Sequence, residues 1–94
     1  MNFKKILGIT VVMIIGIGGI SKEVNEYSLS TAFNISTASY VQNFSVASQE
    51  TFPRDLTFNN DGTKMFVVGN GGDEINEYSL STGFNVSTAS YIQN

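Results

Sequence analysis

The sequence predicts an all-β chain built from repeated four-stranded antiparallel units, and three observations carry that prediction. A stretch of 20 residues, Val24–Asn43, returns as Ile75–Asn94 with 16 identities, 51 residues further along the chain. The segments in and around the repeat either alternate apolar with polar residues or run apolar for four residues, the patterns of half-buried and fully buried strands. Clusters of Asn, Asp, Gly, Ser and Thr separate them at hairpin spacing. The four differences between the copies are Val24/Ile75, Ala32/Gly83, Ile35/Val86 and Val41/Ile92. Three exchange Val for Ile and one removes a methyl, so a single structural unit has been duplicated. Periods of roughly 40–50 residues suit propeller blades or helical solenoids. No apolar periodicity of 3.6 follows residue 21, which leaves the blade.

The N-terminal segment is of a different kind. Lys4 and Lys5 precede Ile6–Ile20, fifteen residues without a charge. That is a positive n-region followed by an apolar h-region, shorter than the ~18–20 residues that span a bilayer. Gly19-Ile20-Ser21 places small residues where a cut after Ser21 needs them. Residues 1–21 are therefore expected to be a signal peptide, or a membrane-anchor helix if left uncut. A rival reading takes Val12–Gly19 as a worn copy of Met65–Gly72. Both are four apolar residues followed by Gly-x-Gly-Gly, two residues out of register with the repeat.

The strands follow in order. Residues 22–50 are expected to hold the third and fourth strands of a partial blade. Tyr40, Gln42, Phe44 and Val46 alternate with Val41, Asn43 and Ser45 in its fourth strand. Residues 51–94 are expected to hold a second blade, its fourth strand truncated. Leu56 and Phe58 flank Thr57 in a half-buried first strand, and Asn59-Asn60-Asp61-Gly62 makes a tight turn. Met65-Phe66-Val67-Val68 reads as a central strand covered on both faces. Gly69-Asn70-Gly71-Gly72 turns the chain, Ile75–Leu80 is the third strand with Tyr78 and Leu80 on one face, and Ser81-Thr82-Gly83 turns it again. Four short strands joined by turns in about 51 residues make one propeller blade.

From Phe52 to Asn70 the chain reads FPRDLTFNNDGTKMFVVGN, and INEYSLST follows from Ile75. This resembles the blade repeat of exported bacterial β-propellers of the YVTN and lactonase-like types, and more distantly the tryptophan–aspartate and quinoprotein repeats. The positions carrying the resemblance are Pro53, Leu56, Phe58, Asp61, Gly62, Met65, Phe66, Val67, Tyr78 and Leu80. It covers Val24 to Asn94 and departs from the distant relatives in lacking Trp. The resemblance implies a fold and says little of function, since propellers host enzymes, lectins and scaffolds alike. The repeat signature is taken as Pro53, Phe58, Asp61 and Gly62 with the pairs Tyr27/Tyr78, Leu29/Leu80 and Phe33/Phe84. The recurring aromatics are read as packing between blades, with a sugar-stacking platform as the alternative.

One and a half blades do not close a propeller of typically 4–8. The sequence reading is therefore an incomplete propeller, a segment of something longer, with self-association through exposed blade faces open to it. The chemistry of the chain narrows the function. It has no His and no Cys, which removes Ser-His-Asp triads, thiol nucleophiles, imidazole or thiolate metal sites and disulfides. Glu74 and Glu77, like Glu23 and Glu26, are spaced to point to opposite faces of a strand. The stretch Thr57–Gly62 lacks the acidic first and twelfth positions of a calcium loop. Asn34, Asn43 and Asn85 open Asn-x-Ser sequons, which matter only in a eukaryotic secretory pathway. From Lys22 onward three basic residues face eight acidic ones, the wrong balance for nucleic acid. The expectation is a non-catalytic, exported binding or adhesion scaffold without cofactor, touching membrane only through residues 1–21. The alternatives are part of a lactonase-like or quinoprotein-like enzyme, or a small oligomeric lectin.

Overall fold

The computed structural model describes residues 12–18, 21–72 and 74–94. They form two antiparallel sheets. The first holds β1 (Val12–Gly18), β2 (Glu23–Leu29) and β3 (Ala38–Ser45), in the order β1-β2-β3. The second holds β4 (Pro53–Phe58), β5 (Lys64–Gly69), β6 (Ile75–Leu80) and β7 (Ala89–Gln93), in the order β4-β5-β6-β7. Each strand pairs with its sequence neighbour, so the second sheet is a four-stranded meander that matches one propeller blade.

The turns are built from the residues their sequences suggest. In the β4–β5 turn the Asn59 side chain accepts from Lys64 N at 2.9 Å, and Asp61 accepts from Thr63 N at 3.1 Å and Thr63 Oγ1 at 2.6 Å. The hydroxyl and amide of Thr63 hold the Asp61 carboxyl below its usual range. Gly62 has φ 74°, a left-handed conformation that glycine adopts without a Cβ clash. A methyl there would also run into the Phe84 ring.

Between third and fourth strands each copy makes a short 3-10 turn, Ile35–Thr37 and Val86–Thr88. Asn34 and Asn85 cap them, each side chain accepting from the backbone N–H two residues on. The residue before each cap has positive φ, 60° at Phe33 and 61° at Phe84.

A β-bulge sits between Glu26 and Tyr27 and again between Glu77 and Tyr78. It changes the face on which the fourth strand continues. Tyr40 pairs with Tyr27, whereas Gln42 and Phe44 pair with Glu26 and Val24 on the opposite face. The plain alternation expected from Tyr40 to Val46 is thus interrupted, because Val41 is the extra residue of the bulge.

The sheets pack face to face. Val24, Phe44 and Val46 from the first sheet meet Leu56, Met65, Val67, Tyr78, Leu80, Phe84 and Val86 from the second. The linker between them is pinned at both ends. Val46 N donates to Lys22 O at 2.9 Å. The fully buried Glu50 accepts from Phe52 N at 3.0 Å and Gly71 N at 2.6 Å, tying the linker to the β5–β6 turn.

One expectation finds no support in the described residues and two are corrected. Over Val12–Gly18 the chain is a strand, where a signal or anchor helix was expected; the rest of residues 1–20 lies outside the described residues. Its composition of Val, Ile and Gly with one Met favours extended backbone over helix, and the edge of β2 is there to pair with. The register of that strand keeps the 51-residue spacing without offset, since Ile17 faces Val24 as Val68 faces Ile75. Gly18, not Gly16, therefore takes the place of Gly69. Finally, β5 is covered on one face only: Met65 and Val67 are fully buried, Phe66 is half-buried and Val68 is exposed.

Candidate functional site

The seam between the sheets gathers half of the repeat signature. Tyr78 and Leu80 project into it from β6, and Phe44 meets Tyr78 edge-on at 5.6 Å. Phe84 packs on Phe58 at 5.1 Å and covers Gly62. Pro53 is buried at the start of β4, an edge strand where its missing N–H costs no ladder bond. Asp61 stays in its turn. The first-copy partners lie elsewhere. Tyr27, Leu29 and Phe33 belong to the outer face of the first sheet, where Tyr27 and Ala38 cover Leu29.

Exposure makes the division explicit. Phe33 is 72% exposed and its counterpart Phe84 9%; Ile35 is 63% exposed and Val86 0%. On the other face the order reverses, with Val24 at 0% and Ile75 at 60%. Each sheet thus has an A face, bearing Tyr27 and Leu29 or Tyr78 and Leu80, and a B face, bearing Val24 and Glu26 or Ile75 and Glu77. The seam joins the B face of the first sheet to the A face of the second.

A polar relay crosses this seam. Glu26 Oε1 accepts from Val86 N at 3.2 Å and from Gln42 Nε2 at 2.9 Å. Gln42 Nε2 also donates to Asn85 Oδ1 at 2.7 Å, and Tyr78 OH donates to Gln49 Oε1 at 2.9 Å. Burial pushes the Tyr78 phenol up to about 12, helped by Tyr91 and the Glu50 carboxylate. From sequence Glu26 stood as one of two glutamates on opposite strand faces, Gln42 as a strand residue and Asn85 as a sequon, and nothing brought the three together. In a Ser- and Asn-rich chain, polar residues on alternate positions look like a solvated face. The available signal was their recurrence at the repeat spacing as Glu77, Gln93 and Asn34.

Among the described residues no three of His, Cys, Asp and Glu converge as a metal ion needs. Glu50 Oε1 and both polar side-chain atoms of Asn76 are buried without a hydrogen-bond partner among the described residues. No helix of the described residues is long and apolar enough to cross a membrane.

What the surface offers instead is open sheet. On the B face of the second sheet Asp55, Thr57, Phe66, Val68 and Ile75 line a shallow groove of about 380 Å³. Next to it Glu77 bonds Lys64 Nζ at 2.9 Å and Gln93 Nε2 at 3.0 Å. These two partners hold the Glu77 carboxyl below its usual range. On the A face of the first sheet Tyr27, Tyr40, Phe33 and Ile35 remain accessible. These are accessible apolar surfaces rimmed by hydrogen-bonding side chains.

No family model matches the chain, and no curated protein and no solved structure matches it either.

Proposed function

We propose that this chain is a non-catalytic, exported segment of propeller type that works as a binding or adhesion scaffold. The observation that carries the reading is the pair of open sheet faces. Glu26, Glu50, Asp61, Lys64, Glu77 and Tyr78 are engaged in turns, relays and a surface pair, while the accessible apolar residues lie on faces shaped to receive another surface. The export part rests on Lys4, Lys5 and the uncharged run that follows them. Retention of β1 and removal of residues 1–21 exclude one another, because a cut after Ser21 takes β1 away from β2.

One preparation tests both parts. The full chain, carrying a C-terminal tag, is produced in a bacterium, recovered from each cell fraction, and its N-terminus read by mass spectrometry. Export predicts an extracytoplasmic product beginning at Lys22, and a cytoplasmic product that keeps residues 1–21 would end that part of the proposal. The purified product is then assayed for lactone hydrolysis and for retention on immobilised glycans. Scaffold function predicts no turnover, and saturable lactone hydrolysis would replace the scaffold with an enzyme.

A further inference from the structure

We propose that copies of this chain assemble head to tail. The B face of the β4–β7 sheet of one copy seats on the A face of the β1–β3 sheet of the next, repeating between chains the seam that joins the two sheets within one. The inference rests on no ligand, and it takes the chain with β1 paired to β2.

The internal seam supplies the template, and counterparts of both halves lie on the two outward sheet faces, accessible except at Leu29, which Tyr27 and Ala38 already cover. Its A half consists of Tyr78, Leu80, Phe84, Asn85 and Val86. The same positions in the first copy are Tyr27, Leu29, Phe33, Asn34 and Ile35. Its B half includes Val24, Glu26 and Gln42, which recur as Ile75, Glu77 and Gln93. Every one of these exchanges is an identity or a swap of Val with Ile.

The hydrogen-bonding groups are already set in both open halves. Gln42 Nε2 donates to Glu26 Oε1 at 2.9 Å in the closed seam, and Gln93 Nε2 donates to Glu77 Oε1 at 3.0 Å on the open face. Asn85 Oδ1 accepts from Ser87 N at 3.2 Å, Ser87 Oγ at 2.7 Å and, across the seam, Gln42. Asn34 Oδ1 carries the first two of these bonds, from Ser36 N at 3.1 Å and Ser36 Oγ at 2.6 Å. Docking a second copy lets Gln93 donate to its Asn34 and lets Glu77 accept from its Ile35 N–H, as Glu26 accepts from Val86. Such pre-positioned groups lose little freedom on binding.

The apolar pattern of β5 points the same way. Met65-Phe66-Val67-Val68 is the sequence of a strand covered on both faces, yet within one chain only its A face is covered. A second copy covers Phe66, Val68 and Ile75. Because the joined faces differ, the contact is heterologous and propagates into a ring or an open filament rather than stopping at a symmetric dimer.

The test uses the full chain and two single substitutions on exposed positions, Ile75→Lys on the B face and Ile35→Asp on the A face. Masses are read by light scattering over a concentration series, with circular dichroism confirming strand content. The wild type is expected to grow beyond the monomer. Either variant alone is expected to stay monomeric, since every contact needs one A and one B face. Their equimolar mixture is expected to form one dimer and nothing larger, because the only intact faces left are one of each kind. Ile92→Lys serves as the control: Ile92 and its counterpart Val41 are exposed in both copies and lie outside the seam, so assembly survives. A wild type that remains monomeric, single variants that assemble as the wild type does, or a mixture that forms no dimer would each overturn the proposal. Loss of assembly in Ile92→Lys would reduce it to unspecific adhesion between apolar surfaces.

Discussion

The two copies of the repeat share 16 of 20 residues and differ in what lies against them. Their local geometry is the same. Both bulge at Glu-Tyr, both place Phe at φ near +60°, and both cap a 3-10 turn with Asn. In both, the Thr that ends the turn donates its hydroxyl to the cap carbonyl at 2.7 Å. Their burial is not the same. In the second copy Tyr78, Phe84 and Val86 are covered by the first sheet, and in the first copy Tyr27, Phe33 and Ile35 are not. Short-range hydrogen bonds thus belong to the sequence itself, and the apolar stabilisation belongs to the neighbour. Positive φ at a bulky residue costs of order 1–3 kcal/mol and persists where the surroundings compensate it. At Phe84 the compensation is visible in the packing on Phe58 and Gly62.

The comparison is most sharply tested by making one change in each copy. Tyr78→Ala empties the centre of the seam and is expected to cost about 3–5 kcal/mol, as large aromatic deletions from cores do. Tyr27→Ala is expected to cost roughly 1 kcal/mol, because that ring is only half-buried. Urea unfolding at concentrations dilute enough to keep chains apart reads both. Equal losses would mean that the first sheet contributes its own core and that the neighbour matters little.

Next in size is a pH effect confined to the covered copy. The Tyr78 phenol is raised from 10.0 to about 12 in the folded chain. The folded state therefore favours the neutral form. The associated stability is fully present below pH 10 and is lost as the pH rises from 10 through 12. A shift of that size corresponds to roughly 2–3 kcal/mol. Tyr78→Phe keeps the ring, removes the titration and flattens the alkaline limb of a stability-versus-pH curve. An alkaline limb unchanged in that variant would place the titration elsewhere.

How much of this was legible in the sequence follows from the range of the forces involved. Strands β4 to β7 and their turns were readable, because alternation, the Asn-Asp-Gly turn and the 51-residue spacing are local or self-referential signals. The face switch at Val41 was not, since a bulge leaves no mark in an alternating pattern until the partner strand is known. The N-terminal segment stayed ambiguous for another reason. A run of Ile, Val and Gly satisfies the composition of an export signal and of a strand equally, and only the open edge of β2 tells which pairing is to hand. Of the surface, the aromatic recurrence was legible, whereas the relay of Glu26, Gln42 and Asn85 was hidden by its polarity.

The methyl lost between Ala32 and Gly83 gives a third test. Gly83 lies where an added Cβ would run into the Asp61 carbonyl oxygen of the β4–β5 turn. The matching position around Ala32 is residue 10, outside the described residues. Gly83→Ala is expected to destabilise by about 1–3 kcal/mol through overpacking against backbone. Ala32→Gly is expected to cost less than about 1 kcal/mol, the conformational freedom of glycine being the main loss. If both changes cost the same, Ala32 and Gly83 differ by drift and the close approach to Asp61 carries no weight.

The smallest expected difference separates local from neighbour-borne energy at a single residue type. Asn34 and Asn85 make the same cap, each accepting from a Ser N–H and a Ser hydroxyl. Asn85 alone also accepts from Gln42 across the seam. Asn34→Ala is expected to cost about 0.5–1 kcal/mol, the worth of an exposed cap. Asn85→Ala removes the same cap and takes from the half-buried Gln42 amide one of its two acceptors, Glu26 remaining, which adds about 1 kcal/mol. The excess should vanish when Gln42→Ala is already in place, so a double-mutant cycle isolates it from the cap. A coupling energy near zero would mean that the seam is held by its apolar residues alone. A positive one makes the same pair, Asn34 with Gln93 of a neighbouring copy, the bond to disrupt first in any assembly of this chain.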